Sequence, residues 1–155
     1  MNFKPKTILW LATAGGIGKI PVASGTFGSL PGLLFSFLLS MFARDAAGVV
    51  VIALMLVAIW VSEHAERVLD AKDPGCIVID EVVGMMVTML GLPFNFKTAI
   101  LGFVFFRLFD ILKPSPVRNI QDGLPGGVGV VMDDVAAGVM ANILLHIVYY
   151  GFGLG

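Results

Sequence analysis

Residues 46–61, AAGVVVIALMLVAIWV, form an apolar stretch that contains no charged side chain. A helix built from these residues has no polar face to turn toward water, so it suits a lipid environment better than the surface of a soluble domain. The same imbalance extends over the whole chain of 155 residues, of which 57% are hydrophobic and only 14% are charged. Soluble domains carry about 25% charged residues. The stretch and the composition therefore predict a single membrane-embedded domain, residues 1–155.

Four further apolar stretches accompany this one, and each is a candidate membrane segment. The five stretches cover residues 30–43, 46–61, 82–92, 98–112 and 135–154. Only the last approaches the roughly 20 residues that a helix needs to cross a bilayer core. We therefore predict an all-α fold: a small polytopic helical membrane protein with about four to five membrane segments, some short or re-entrant. The alternative is a soluble helical bundle with a large core, which the missing polar face of residues 46–61 disfavours.

The basic residues are distributed unevenly around these segments. If the N-terminus is cytoplasmic and the segments alternate, only Arg44 and Lys97 lie outside. The others lie on or near the cytoplasmic side: Lys4, Lys6, Lys19, Arg67, Lys72, Arg107, Lys113 and Arg118. This bias follows the positive-inside rule and fixes the predicted orientation. It places the polar stretches 15–29, 63–81 and 113–134 together on a cytoplasmic face.

Charge and cysteine content exclude several classes of function. The net charge is −1 and no run of basic residues occurs, so we expect no nucleic-acid partner. Cys76 is the single cysteine, which excludes an internal disulfide and a thiolate metal site. The apolar residues 8–14 end at two glycines without a convincing cleavage site, so we expect no signal peptide.

Two adjacent pairs of acids, Asp80-Glu81 and Asp133-Asp134, stand where a polar stretch enters an apolar one. A glycine follows each pair about one turn later, so the two helices could approach closely and bring the pairs together. Converging carboxylates at a membrane boundary repel one another unless a cation neutralises them. Oxygen ligands of this kind, without His or Cys, suit Mg²⁺. The alternative is that each pair simply stabilises a helix N-terminus.

Arg107, Asp110 and Lys113 are spaced three residues apart at the end of an apolar segment, just before Pro114. This spacing puts the three side chains on one face of a helix end. An arginine in such a segment is costly and usually has a functional partner, and its guanidinium matches phosphate oxygens. The alternative is an internal salt bridge between Arg107 and Asp110 with Lys113 reaching to the interface. Both interpretations can hold together.

The stretch from residue 21 to residue 29, PVASGTFGS, supplies small residues and the hydroxyls of Thr26 and Ser29 just before an apolar segment. A loop of this composition could bind an anion through its amides, and residues 123–129 form a second glycine-rich stretch. Neither matches a nucleotide-binding loop, and each could be a plain turn. We expect His146 to be a packed helix residue, and we do not count His64, beside Glu63 and Glu66, among the site residues.

These elements, in this order, resemble the phosphatidylglycerophosphatase A family of small bacterial membrane lipid phosphatases. The resemblance covers nearly the whole chain, and its one noted departure is Ser24, where the family commonly has proline. It rests on Gly25-Thr26-Phe27-Gly28-Ser29, Ile77-Val78-Ile79-Asp80-Glu81 with Gly84, Phe106-Arg107-Leu108-Phe109-Asp110-Ile111 with Lys113-Pro114 and Pro116, and Gly126-Gly127 with Gly129, Asp133-Asp134 and Gly138.

The resemblance implies a Mg²⁺-dependent hydrolase of the bacterial cytoplasmic membrane, multi-pass, with its active face cytoplasmic. It implies phosphatidylglycerophosphate as the lipid substrate, with phosphatidylglycerol and phosphate as products. Together with the residue patterns it gives a division of roles. The predicted catalytic and metal-binding residues are Asp80, Glu81, Asp133 and Asp134, with Asp110 a further candidate ligand. The predicted phosphate-binding residues are Thr26, Ser29, Arg107 and Lys113. The nucleophile stays open between a water molecule and an aspartate, Asp80 or Asp133.

Two other functions fit the same composition. A CDP-alcohol phosphotransferase is also a membrane enzyme with clustered aspartates, but the Asp-Gly-x-x-Ala-Arg stretch of that family is absent from this sequence. A small cation-coupled transporter would carry acids near the middle of its membrane segments, whereas the acid pairs here lie at segment ends.

Overall fold

The computed structural model describes residues 4–153, and within this range it contains helices and no β-strand. A 3₁₀ helix, Ala14–Lys19, follows the first α-helix. The α-helices are α1 (Pro5–Ala12), α2 (Ser24–Leu39), α3 (Arg44–Leu69), α4 (Ile79–Met89), α5 (Phe96–Leu112), α6 (Val117–Gly123) and α7 (Gly126–Gly151). The predicted all-α class is therefore confirmed.

Five of these helices, α2, α3, α4, α5 and α7, correspond to the five predicted apolar segments. Among the described residues, α3 and α7 are long and apolar enough to cross a membrane, with 26 residues each. Helices α2, α4 and α5 have 16, 11 and 17 residues. The count of four to five membrane segments therefore stays a prediction. Residue 154, at the end of the last predicted segment, lies outside the described range.

The stretch we interpreted as an anion-binding loop is mostly helical, because α2 already begins at Ser24. The reason is packing. Gly25, Gly28 and Gly32 are buried along one side of α2, and a Cβ on Gly28 would lie 2.6 Å from Cβ of Val78. Local composition favoured a turn, but burying this glycine face against α4 favours a helix. In the same way, the second glycine-rich stretch opens α7 at Gly126.

Helix α7 lies at the centre of the bundle and packs against α3, α4, α5 and α6. The apolar core between α4, α5 and α7 contains Met85, Phe106 and Leu145, which are fully buried. Here Gly84 of α4 meets α7: a Cβ on it would lie 2.6 Å from the Phe106 ring and 2.8 Å from the carbonyl oxygen of Asp134. The predicted close approach of the two acid-bearing helices is therefore confirmed.

The outer surface of α3 is strongly apolar. Only 28% of its most apolar 18-residue window is buried inside the protein. Val49, Ile52 and Leu56 are among the exposed side chains. A continuous apolar surface of this kind is unfavourable in contact with water and is typical of a helix that faces lipid.

Candidate active site

Four helices converge on one cavity of about 330 Å³. Helices α2 and α4 contribute their first turns, α5 its last turns, and α7 residues that lie two turns from its start. All three polar stretches that we predicted to share a face contribute to the lining, and the end of the apolar segment 98–112 adds Arg107 and Asp110. The lining residues are Ala23, Ser24, Gly25, Asp73, Gly75, Ile77, Asp80, Glu81, Arg107, Asp110, Lys113, Asp133 and Asp134. We call this space the acidic cavity.

A larger cavity, of about 410 Å³, lies at the opposite end of the helices. Its lining includes Ser36, Arg44 and the turn at Gly91, and it contains no carboxylate. Size alone does not make a site, since chemistry needs convergent polar groups. The acidic cavity is therefore the candidate active site.

Three of the predicted acids form a compact cluster in the acidic cavity. Carboxylate oxygens of Asp80, Glu81 and Asp134 all lie within 4.8 Å of one another. Asp80 and Asp134 are only 6% and 4% exposed. Asp80 and Glu81 belong to the first turn of α4, and Asp134 is brought to them by the glycine contact between α4 and α7. We call these three residues the carboxylate cluster.

Two oxygens of the carboxylate cluster are buried without a hydrogen bond from any described residue: Oε2 of Glu81 and Oδ2 of Asp134. A buried carboxylate oxygen without a donor is costly, and three neighbouring carboxylates also repel one another. The donor set consists only of hard oxygen ligands, and this is the set that Mg²⁺ prefers. The residues present therefore fit a divalent cation of this type.

The fourth predicted acid, Asp133, has a different partner. Its Oδ2 accepts a hydrogen bond from Nζ of Lys113 at 2.6 Å, and the side chain is 4% exposed. Burial acts to lower the pKa of Lys113, but the bond to Asp133 and the charges of Asp133, Asp134 and Asp110 outweigh it, so this pKa is raised. Lys113 is thus held as a cation at the edge of the carboxylate cluster.

Arg107 reaches the cavity from α5 in a second ion pair. Its Nη1 lies 2.6 Å from Oδ2 of Asp110, and both side chains are largely buried. Nε of Arg107 is buried and makes no hydrogen bond to the described residues. The internal salt bridge that we considered as an alternative is therefore present, and Arg107, which lines the acidic cavity, keeps one guanidinium donor without a partner among the described residues.

The start of α2 forms one side of the cavity. It can lie this close to Glu81 and Arg107 because Gly25 has no side chain. A Cβ on Gly25 would collide with Oε1 of Glu81 and lie 3.0 Å from Nη1 of Arg107. The hydroxyl of Ser24 donates to the carbonyl oxygen of Gly75 at 2.7 Å, which ties α2 to the loop before α4. No side chain caps α2. Its first-turn amides are therefore available to an anion.

The structure does not bring the two predicted hydroxyl ligands to the acidic cavity. Thr26 and Ser29 are absent from its lining. The hydroxyl of Ser29 is buried and donates to the carbonyl oxygen of Gly25, one turn earlier in α2, at 2.8 Å. The residues of this stretch that do line the cavity are Ser24 and Gly25.

The helix-capping alternative fits the two acid pairs unequally. Asp80 and Glu81 do lie in the first turn of α4, where Oδ1 of Asp80 accepts a hydrogen bond from the amide of Glu81 at 3.0 Å, although the N-cap residue itself, Val78, makes no side-chain hydrogen bond. Asp133 and Asp134 are buried within α7, about two turns after its first residue, Gly126. Capping therefore does not explain the second pair.

Asp73 is an acidic lining residue that we did not predict from the sequence. It precedes α4 in a loop, and its amide donates to Oε1 of Glu66 at 2.6 Å. Only its place in a polar stretch between two apolar segments pointed to it. Neither histidine lines the cavity: Nδ1 of His64 pairs with the carbonyl oxygen of Trp60, and Nδ1 of His146 with that of Asn142.

The fold and the cavity together define an all-helical protein with two helices long enough to span a bilayer and a buried cluster of carboxylates beside two cations. The chain belongs to the phosphatidylglycerophosphatase A family, whose model matches residues 10–149. It is therefore a phosphoric monoester hydrolase of the lipid phosphatase type.

Three relatives cover most of this chain. It is 32% identical over 146 residues to phosphatidylglycerophosphatase A of Escherichia coli (strain K12), with 94% of this chain and 85% of that protein covered. It is 32% identical over 142 residues to phosphatidylglycerophosphatase A of Haemophilus influenzae, covering 90% and 87%. It is also 35% identical over 151 residues to a Bacteroides thetaiotaomicron protein named "Putative phosphatidylinositol-3-phosphatase", covering 92% and 94%. No solved structure matches the chain significantly.

Proposed function

We propose that this protein removes the terminal phosphate of phosphatidylglycerophosphate, with Mg²⁺ as its cofactor, at the acidic cavity. The observation that carries the proposal is the carboxylate cluster with its two unpaired oxygens, set beside Arg107 and Lys113 in one cavity. Anionic ligands for a cation next to basic ligands for an anion are what phosphoryl transfer requires, because it depends chiefly on positioning and charge neutralisation.

The carboxylate cluster would hold the cation. Asp80, Glu81 and Asp134 are its ligands in this proposal, whereas Asp110 and Asp133 are each engaged by a basic side chain, Arg107 and Lys113 respectively. When bound, Mg²⁺ would neutralise and polarise the phosphoryl oxygens. The four acids that we predicted as ligands are thus divided into a cluster of three and Asp133, which orients Lys113.

The phosphate would be bound by cations and amides from two helices. Arg107 offers its buried Nε and the remaining guanidinium donors, and Lys113 its ammonium. The uncapped start of α2, at Ser24 and Gly25, adds backbone N–H donors and the positive end of a helix dipole. We propose these amides in place of the Thr26 and Ser29 hydroxyls.

Hydrolysis breaks the bond between phosphorus and the glycerol oxygen and forms a bond between phosphorus and a water oxygen. One proton of that water is transferred to the glycerol oxygen that leaves, so the products are phosphatidylglycerol and inorganic phosphate. An aspartyl-phosphate intermediate, on Asp80 or Asp133, is the alternative route. Burst kinetics with quenched samples distinguish the routes, because only the second accumulates phosphate on the protein.

The site would face the cytoplasm from a bacterial inner membrane that the chain crosses several times. The acidic cavity lies at the end of the bundle that carries most of the basic residues, whereas Arg44 and Lys97 lie in the first turns of α3 and α5, at the other end. This distribution supports a cytoplasmic active face.

The test is phosphate release by purified protein from detergent-dispersed phosphatidylglycerophosphate. Phosphatidylinositol 3-phosphate is the second substrate to assay, because the name of the Bacteroides relative points to it. We expect the glycerophosphate lipid to give the higher kcat/KM. A clear preference for the inositol lipid would replace our substrate assignment, and release from neither lipid would refute the proposed function.

A further inference from the structure

The N-terminal part of the chain carries an unusual charge pattern. Residues 1–44 include Lys4, Lys6, Lys19 and Arg44 but no acid, and the first acidic residue is Asp45. The three lysines are exposed: Lys4 immediately precedes α1, Lys6 lies in α1, and Lys19 ends the 3₁₀ helix that follows it. Nothing in the proposed chemistry uses them.

This part of the chain is also amphipathic. Ile8 and Ala12 of α1 are buried in a cluster with Val61 of α3 and Ile77, whereas Trp10 on the other side of α1 is 62% exposed. Ile20 and Val22, just before α2, are exposed as well. A tryptophan beside lysines, with an apolar body and a polar edge, is typical of a segment that lies at the membrane interface.

The same segment borders the acidic cavity. The amide of Val78 donates to the carbonyl oxygen of Ala12 at 2.9 Å, which fixes the end of α1 against the start of α4. Ile77, which packs on α1, and Ala23, which follows the exposed Val22, both line the cavity. A lipid that binds along this segment is therefore beside the cavity.

The charge of the cavity creates a need for such a segment. Two cations, Arg107 and Lys113, line it together with six acids: Asp73, Asp80, Glu81, Asp110, Asp133 and Asp134. Before a cation binds, this surplus of negative charge repels an anionic lipid headgroup at a distance. An acid-free, basic surface at the entrance offsets that repulsion.

We propose that residues 4–22 form an interfacial platform that binds the anionic surface of the bilayer and concentrates anionic phospholipid at the cavity entrance. Lys4, Lys6 and Lys19 supply the attraction, and Trp10, Ile20 and Val22 anchor the segment at headgroup level. The platform is a lipid-binding surface separate from the reacting groups. Its role in supplying substrate rests on the proposed function, but its contact with anionic lipid does not.

The first test measures the position of Trp10 and needs no activity. Trp60→Phe leaves Trp10 as the single tryptophan, since the chain has two. In proteoliposomes that contain phosphatidylserine, we expect lipids brominated near the headgroup to quench Trp10 more than tail-brominated lipids or aqueous acrylamide. Strong quenching by acrylamide alone would overturn the platform. Protection from all three quenchers would also overturn it, because another protein surface would then cover Trp10.

The second test measures the electrostatic attraction between the three lysines and anionic lipid. Lys4→Gln/Lys6→Gln/Lys19→Gln should raise the apparent KM for the lipid by about tenfold to 100-fold at low salt, since each lysine near an anionic surface contributes on the order of fivefold. We expect kcat to stay unchanged and the difference to disappear at high salt. Lys97→Gln, at the other end of the helices, is the matched control. A triple variant with wild-type KM at low salt would contradict the proposal, whereas an inactive wild type would refute the proposed function instead.

Discussion

Gly84 of α4 and Gly138 of α7 lie directly against each other, because a Cβ on Gly138 would collide with the carbonyl oxygen of Gly84. The obstacle is backbone, so a side chain cannot be accommodated by rotation of a neighbour. The contact sets the distance between the two acid-bearing helices, one turn away from the carboxylate cluster. Geometry at this glycine pair therefore controls geometry at the site.

Gly138→Ala should push α7 away from α4 and separate Asp134 from Asp80 and Glu81. We expect a stability loss of about 1–3 kcal/mol, as for other overpacked contacts, and an activity loss of at least about tenfold, as for comparable displacements of reacting groups. Thermal unfolding in detergent and phosphate release measure the two effects.

Gly48→Ala is the matched control for this change. Gly48 lies in α3, and nothing stands within 4 Å of the position that its Cβ would take. Alanine there should leave activity unchanged and stability equal or slightly higher, because alanine favours helix more than glycine does. Equal behaviour of the two alanine variants would show that the α4–α7 contact does not position the site.

The sequence predicted this contact, but it did not predict the start of α2. The acid pairs could be recognised because they are charged residues at the edges of apolar segments. Helical periodicity then showed that the glycine one turn later lies on the same face as the acids. Residues 24–29 suggested a turn by local composition, and only their burial against α4 makes them helical. The different partners of Asp133 and Asp134 are likewise a property of tertiary packing, because adjacent residues on a helix point in directions about 100° apart.

Asp80→Asn and Asp134→Asn should each lower Mg²⁺-dependent turnover by several orders of magnitude, because each removes a charged oxygen ligand from the carboxylate cluster. Asp122→Asn, an exposed acid outside the acidic cavity, is the matched control and should behave like wild type. The measurement is specific activity per folded, membrane-inserted protein. Substantial activity in both cluster variants would overturn the assignment of metal ligands.

Asp133→Asn should have a smaller effect, since this residue acts through Lys113 rather than on the cation. We expect a fall in kcat/KM of about 10–100-fold, the usual consequence of losing an orienting partner. The rise in KM should be larger than in Asp134→Asn at equal Mg²⁺. If the Mg²⁺ concentration needed for half-maximal activity rose as far as in Asp134→Asn, Asp133 would instead be assigned as a metal ligand.

Arg107→Lys tests whether the guanidinium binds phosphate in addition to pairing with Asp110. Lysine keeps the charge and the ion pair but loses the planar set of donors, so KM should rise, kcat should fall, or both. The exposed Arg118 gives the control Arg118→Lys, for which we expect normal kinetics. Normal kinetics in Arg107→Lys as well would assign Arg107 a purely structural role.

Orientation can be measured with reporters fused at loops. A reporter inserted after Ala71 or after Gln121 should be cytoplasmic, and one inserted near Asn95, at the start of α5, should lie outside. Ala71 follows α3 and Gln121 lies in the short α6 before α7, at the opposite end of the bundle from Asn95. Finding Asn95 and Gln121 on the same side would remove the shared active face.

The dependence of phosphate release on Mg²⁺ tests the central claim most directly. Purified protein is first stripped with EDTA and assayed on phosphatidylglycerophosphate, then assayed again with added Mg²⁺ beside Asp134→Asn. We predict no phosphate release after chelation, full recovery with Mg²⁺ in the wild type, and little recovery in the variant. The reason is that the carboxylates of the cluster repel an anionic phosphate unless a bound cation neutralises them. Full activity of the wild type after rigorous chelation would contradict a metal-dependent mechanism at this cluster.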